Sequence, residues 1–183
     1  MKNPKEILAQ MTLEDKAALC DGADFWHLKG MEKYGIPSIM VCDGPHGLRK
    51  KDYNKTGSSV PSICFPTAVT TACSWDPDLL HEMGVALGKK CLKEEVGVLL
   101  GPGVNMKRSP LCGRNFEYFS EDPVISGKMA SAIISGCASQ GLVTTIKHFV
   151  LNDQESYRDL NGGVSTWATE QVIREIYAKP FEY

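Results

Sequence analysis

The side chains with chemical reach in this sequence stand just after apolar runs. Asp43 follows residues 36–42 (IPSIMVC) and opens the turn Asp43-Gly44-Pro45-His46-Gly47. Lys107, Arg108 and Arg114 come after residues 96–100 (VGVLL) and the turn Gly101-Pro102-Gly103, and Lys147 and His148 lie near the end of residues 142–149 (LVTTIKHF). An acid, a guanidinium, an ammonium and an imidazole around one pocket supply donors and acceptors suited to an array of hydroxyls. A sugar is such an array, whereas a phosphate would want the cations and be opposed by Asp43. Singly, each residue has a plainer use: an acid beside Gly-Pro stabilises a turn, Arg114 and Glu117 suit a structural ion pair, and His148 suits a satisfied core histidine. Convergence on one rim is what would make them a site.

That convergence requires parallel strands, because binding groups then gather at the carboxyl ends, on the loops that lead into the next helix. The runs at 36–42, 96–100 and 142–149 are short, branched and apolar, as in strands buried on both faces. Between them the chain reads as helix. Asp76-Pro77 opens one that carries Leu79, Leu80, Met83, Leu87 and Cys91 through Lys93; a second follows Pro123 with Ile125, Met129, Ile133, Ile134 and Cys137 and stops at Gly141. Upstream, Asn3-Pro4 with Glu6, and Thr12 with Asp15, start two short helices with Ile7, Leu8, Met11, Leu13 and Leu19 on their apolar side, ending at Gly22. Residues 50–62 read as an exposed loop, 63–71 as a further short strand, and 166–179 as a last helix with Val172, Ile173, Ile176 and Tyr177 inward. Strand, loop and helix in repetition give an α/β fold.

Composition bounds the alternatives. The 183 residues are 43% hydrophobic and 23% charged with a formal net charge of −2, an ordinary globular balance. Lys and Arg are scattered and the group Arg49-Lys50-Lys51 reads as a solvated turn, so no nucleic acid is expected as a partner. No run approaches the ~18 apolar residues of a spanning helix, and the N-terminus MKNPKEIL lacks the apolar core of a secretory signal, so no membrane partner and a cytoplasmic location are expected. Seven cysteines, with no CxxC pair and no histidine at a zinc interval, read as reduced and mostly buried thiols. No metal and no cofactor are expected. No G-x-G-x-x-G, P-loop or G-x-S-x-G pattern is present.

The run from Gly113 to Pro123, GRNFEYFSEDP, resembles the signature of glycoside hydrolase family 3, the β-glucosidase family. The likeness extends in order through Asp43-Gly44-Pro45 with Gly47 and Arg49, Gly101-Pro102-Gly103-Val104-Asn105, Lys147-His148-Phe149 with Asn152, Gln154 and Glu155, and Arg174-Glu175-Ile176-Tyr177 before Pro180-Phe181-Glu182. It covers essentially residues 1–183. The resemblance implies the N-terminal portion of a (β/α)8 TIM-type barrel and a retaining hydrolase acting on terminal β-D-glucosyl residues of a β-glucoside or oligosaccharide. Carried over residue by residue, Asp43 matches the acid that accepts from outer sugar hydroxyls, and Arg114, Lys147 and His148 match the contacts to the others. These four are the expected substrate-binding residues.

Both catalytic carboxylates of the family, the nucleophile and the acid/base, are expected beyond Tyr183, so no catalytic residue is expected among residues 1–183. The nucleophile is an Asp in a Ser-Asp-Trp-like segment downstream of these motifs, and the acid/base carboxyl comes later still; no Ser-Asp-Trp occurs here, and residues 165–170 read Ser-Thr-Trp-Ala-Thr-Glu where relatives have Glu-Arg after the serine. Strand counting agrees without the family: a (β/α)8 barrel takes about 250 residues, and three or four strand–helix units amount to about its first half, ahead of the nucleophile strand. Such a partial barrel is expected to self-associate through its open edges and to be inactive alone. The alternative expectation is a non-catalytic carbohydrate-binding or interaction module derived from that barrel.

Overall fold

The structure, a computed structural model, describes residues 3–52, 58–159 and 163–183. It is built on one open four-stranded sheet in the order β1-β2-β3-β4, with β1 at His27–Leu28, β2 at Ile39–Asp43, β3 at Val98–Leu100 and β4 at Val143–Thr144. The last three run parallel, pairing Val41 with Val98 and Val98 with Val143, while β1 adds antiparallel to β2. This is the α/β, barrel-type arrangement expected, except that β1 carries no recognisable sequence pattern.

Helices cover one face of the sheet. α4, Pro77–Lys93, and α5, Pro123–Ser139, begin as read, with Asp76 and Asp122 capping the two backbone N–H groups that follow each proline. Met40 and Cys42 of β2 and Leu99 of β3 meet Leu80, Met83, Leu87 and Cys91 of α4 and Met129, Ile133 and Cys137 of α5 in the core. Alternate strand residues face the other way: Ile39, Val41, Val98 and Leu100 are only half-covered or exposed, and Val143 is 58% exposed. The inward layer of the partial barrel is therefore open.

Three readings are corrected. Residues 63–71 form no strand; α3 occupies Ala68–Ala72 instead, because the Ala68 N–H donates to Nε2 of His46, 3.0 Å away, and that distant contact starts a helix where branched residues suggested extension. The two N-terminal helices, α1 (Pro4–Gln10) and α2 (Leu13–Leu19), are capped as expected, including the Thr12–Asp15 capping box, yet neither contains a buried residue and Leu13 is 77% exposed. They stop before Gly22, at Met11 and Cys20, and the main core forms between the sheet and α4–α5 without them. The last helix is a three-residue turn, α6 (Glu170–Val172), running into a π-helical turn at Ile173–Tyr177, and of its inward set Tyr177 alone is buried. Part of the 50–62 loop lies outside the described residues; its ends pair through Lys51 and Ser59.

Two glycines let α4 and α5 touch backbone to backbone. A Cβ at Gly84 would stand 2.3 Å from the Ile133 carbonyl oxygen, and one at Gly136 2.2 Å from that of His81. Gly84→Ala is therefore expected to destabilise by about 1–3 kcal/mol through forced separation, against the ~1 kcal/mol gain of the same change in an exposed helix. Gly88→Ala, which would meet the side chain of Gln140 at 3.0 Å and the Cys137 carbonyl oxygen at an ordinary contact distance of 3.4 Å, is expected to cost less. Urea unfolding of the two variants checks the contrast.

Candidate functional site

The site lies where the parallel strands end. β2 delivers Asp43 directly, and the turn behind it is held by the Gly47 N–H donating to the Gly44 carbonyl at 3.1 Å. Gly47 has φ +137°, and a Cβ there would come within 1.9 Å of the Ile63 carbonyl oxygen, so only glycine lets residues 62–64 close over this turn. The Arg49 N–H then donates to the Asp43 carbonyl at 3.0 Å, folding the guanidinium back beside the acid.

β4 delivers Lys147 and His148 by a less regular route. Backbone bonds run from Val143 to Gly97, from Thr145 to Leu99 and from Lys147 to Pro102, so the β3 side carries one extra residue before the third bond. That is a bulge at the Gly101-Pro102 turn, and it bends the ladder just before the site. It explains why the strand expected at 142–149 is regular only over Val143–Thr144. Pairing continues past it, with Val104 N–H donating to the Lys147 carbonyl at 2.7 Å. Asn105, 1% exposed, then clamps His148: its Nδ2 donates to the His148 carbonyl at 2.9 Å and its Oδ1 accepts the His148 N–H at 2.7 Å.

Asp43 joins the strand ends. Its Oδ1 accepts from Lys147 Nζ at 2.9 Å and its Oδ2 from Arg49 at 2.7 Å. Burial alone would raise its carboxyl, but the hydrogen bond and charge of Lys147, with Arg49, outweigh that and hold it below the usual carboxylate range. Asp43 borders two cavities. One, of about 580 Å³, is lined by the Asp43–Arg49 turn, Ile63, Cys64, Arg114, Phe116 and Glu117; the other, of about 550 Å³, opens on the uncovered sheet face between Trp26, Leu100, Lys147 and His148.

A second network holds the remaining groups. The Arg114 guanidinium lies against the buried Glu117 carboxylate, and 3.7 Å from Glu155. Asn152 Nδ2 donates to Tyr118 Oη and to Glu155 Oε1, both at 3.0 Å, and Arg158 donates to Glu155 Oε2 at 2.8 Å. Tyr118 Oη stands 2.9 Å from His148 Nδ1, which is also 3.9 Å from Glu117. Burial first, then the charges of Arg114, Lys147 and Arg158, push the His148 imidazole down to about 4, so it is neutral at neutral pH. Among the described residues no group of three His, Cys, Asp or Glu side chains is placed to hold a metal ion.

All four residues expected from the sequence thus meet at one rim. Two of the expected rim cations do not. Lys107 turns into an outer groove beside Val69, Cys73 and Trp75, where its Nζ is buried without a hydrogen-bond partner and burial pushes it down to about 8. Arg108 lies over the ring of Tyr177 at 5.9 Å. Tyr183, beyond which the two catalytic carboxylates are expected, is no part of the rim either. Its ring packs over Gly127 of α5, where a Cβ would stand 2.3 Å from Cδ2, and Lys179 Nζ lies 5.9 Å from the ring centre. Conversely, Tyr118, Asn105 and Arg49 read in the sequence as parts of motifs without individual roles, Arg49 also as part of a solvated turn, and Arg158 carries no signal. The spacing of Arg49 six residues after Asp43, across a glycine turn, is the available clue.

Residues 7–183 match the family described as the glycosyl hydrolase family 3 N terminal domain. The chain is 54% identical over 182 residues to thermostable beta-glucosidase B of Acetivibrio thermocellus, covering 97% of this chain and 24% of that protein. It is 48% identical over 178 residues to an exo-alpha-(1->6)-L-arabinopyranosidase of Bifidobacterium longum, covering 94% and 23%. Its fold superposes on the crystal structure of the Kluyveromyces marxianus beta-glucosidase in complex with glucose with a TM-score of 0.91 at 39% identity, covering 99% and 21%. The chain spans about a quarter of the length of these relatives.

The neutral histidine gives the site a pH dependence. His148 binds a proton near pH 6.5 when unfolded and only near 4 when folded, so stability is complete above the first value and lost as pH falls toward the second. His46, lowered chiefly by burial, adds in the same sense. Urea midpoints are expected to fall between pH 6.5 and 4, and the fall should be shallower in His148→Gln; a variant slope equal to that of the parent would contradict the assignment.

Proposed function

Since the chain belongs to glycosyl hydrolase family 3, we propose that it forms the sugar-holding N-terminal part of a retaining β-glucosidase, residues 1–183 being a portion of its barrel domain. The observation that carries the proposal is the Asp43–Lys147 pair at 2.9 Å with Arg49, Arg114 and His148 beside it at the carboxyl ends of parallel strands. Asp43 accepts from two hydroxyls of the terminal sugar, Lys147 and Arg114 donate to others, and His148 offers a neutral ring nitrogen. In the absence of sugar these groups satisfy one another, which holds their geometry at the rim. Relatives similar over nearly the whole chain carry glycosidase names, which favours the hydrolase over a stand-alone binding module. The chemical step belongs to two carboxylates, one attacking the anomeric carbon and the other protonating the leaving oxygen. The expected Ser-Asp-Trp segment of the attacking group does not occur in these 183 residues, and this reading assigns them sugar contacts alone. A cytoplasmic location completes the reading, supported by seven free cysteines.

This reading makes the 183 residues a weak binder without turnover. Glucose is expected to protect them with millimolar affinity or weaker, on the order of −4 kcal/mol, with no hydrolysis of an aryl β-glucoside above background. Arg114→Ala and Lys147→Ala should each abolish protection in a thermal-shift assay while leaving the fold intact by circular dichroism; protection that survives both rules out the assigned contacts.

The open inward layer adds an expectation about assembly. Exposed branched side chains such as Ile39 and Val143, at ~25 cal/mol per Å² of apolar area covered, favour pairing of two copies. Sedimentation at micromolar concentration should show a dimer or larger species, and a single species at the 20.1 kDa chain mass that binds no hydrophobic dye would count against it.

A further inference from the structure

We propose that Tyr118 is a positioning residue that fixes the tautomer of His148, leaving the imidazole hydrogen on Nε2 so that His148 meets the sugar as a hydrogen-bond donor. The inference rests on the proposed sugar site for its functional meaning and on a chain of bonds for its geometry.

The polarity of that chain is set from its far end. Glu155, paired with Arg158 at 2.8 Å, is held below the usual carboxylate range; burial alone would raise it, but the bonds from Arg158 and Asn152 prevail. An ionised carboxylate accepts only, so the Asn152 atom 3.0 Å from it must be the amide nitrogen, and this assigns the amide orientation. The second hydrogen of the same nitrogen goes to Tyr118 Oη, 3.0 Å away. The phenol therefore accepts from Asn152 and must place its own hydrogen elsewhere. His148 Nδ1, at 2.9 Å, is the acceptor in reach. Tyr118 is fully buried and burial pushes its phenol well above its usual range, so the hydrogen stays available across the working pH.

A neutral imidazole that accepts at Nδ1 carries its hydrogen at Nε2. Burial first, and then the charges of Arg114, Lys147 and Arg158, keep it neutral against the opposing pull of Glu155. Glu117 Oε1, 3.9 Å from Nδ1, is too far to compete for a hydrogen there and is engaged by Arg114. Asn105 fixes the His148 backbone and Tyr118 fixes the ring state, so each side of the residue has its own support. The roles at the rim then differ: Asp43 accepts, and Lys147, Arg114 and His148 donate.

Nitrogen-15 NMR of the labelled chain reads the tautomer directly, with His148→Gln identifying its signals among the four histidines. A pyridine-type Nδ1 and a pyrrole-type Nε2 are expected at neutral pH without sugar, so the result stands apart from whether glucose binds. Tyr118→Phe should average the two signals, raise the pH at which His148 titrates, and weaken glucose about three- to tenfold, the worth of one hydrogen bond. Asn152→Ala should loosen the tautomer in the same way and serves if the tyrosine variant does not fold. A pyrrole-type Nδ1 in the parent overturns the proposal, as does a tautomer unchanged in both variants.

Discussion

The contact between Asp43 and Lys147 spans 104 residues of sequence and ties the first parallel strand to the last across β3. Each partner compensates the other's burial, and Asp43 keeps Arg49 if Lys147 is removed. Lys147 has a side chain only 12% exposed and Asp43 one 25% exposed, so removing either leaves a charge stripped of much of its water. Such a pair adds little net stability over a well-packed apolar substitute. It does fix which groups face the rim, and Arg49, anchored on the other carboxylate oxygen, inherits that orientation.

Pairing next to that contact is irregular on the β3 side alone. An unbroken parallel ladder would carry β4 onward with side chains alternating between the core and the open face. The extra residue at Gly101-Pro102 interrupts β3 only, the 143-145-147 spacing keeps Lys147 on the open face with Thr145, and the amide of Asn105 holds the His148 backbone where no regular ladder bond would. Lys147 is thereby free to meet Asp43 while His148 meets Tyr118.

The outer layer was legible in the sequence because its determinants are local. Asp-Pro starts and a 3.6-residue apolar period define α4 and α5 from neighbouring residues alone. Motif order likewise singled out Asp43, Arg114, Lys147 and His148, which the fold brings to one rim. What stayed hidden depends on partners far along the chain. α3 starts on His46, the shortening of β4 is imposed by a bulge in β3, and Lys107 turns outward although its spacing from β3 suits the rim as well as that of Arg114 does. The two N-terminal helices show the opposite failure, since good local caps produced helices that bury nothing of the main core.

The backbone contact between α4 and α5 has a consequence for how the chain opens. Gly84 and Gly136 lock together two helices separated only by residues 94–122, so their union closes a modest loop and needs no rim residue. The rim, by contrast, depends on contacts between distant parts of the chain and on half-exposed bonds. Local fluctuations can therefore unfasten the loops around Asp43 and His148 while the helical layer stays shut. In a chain built this way, backbone amides within α4 and α5 exchange with solvent only through cooperative unfolding, and those of 147–159 exchange through openings of much lower free energy.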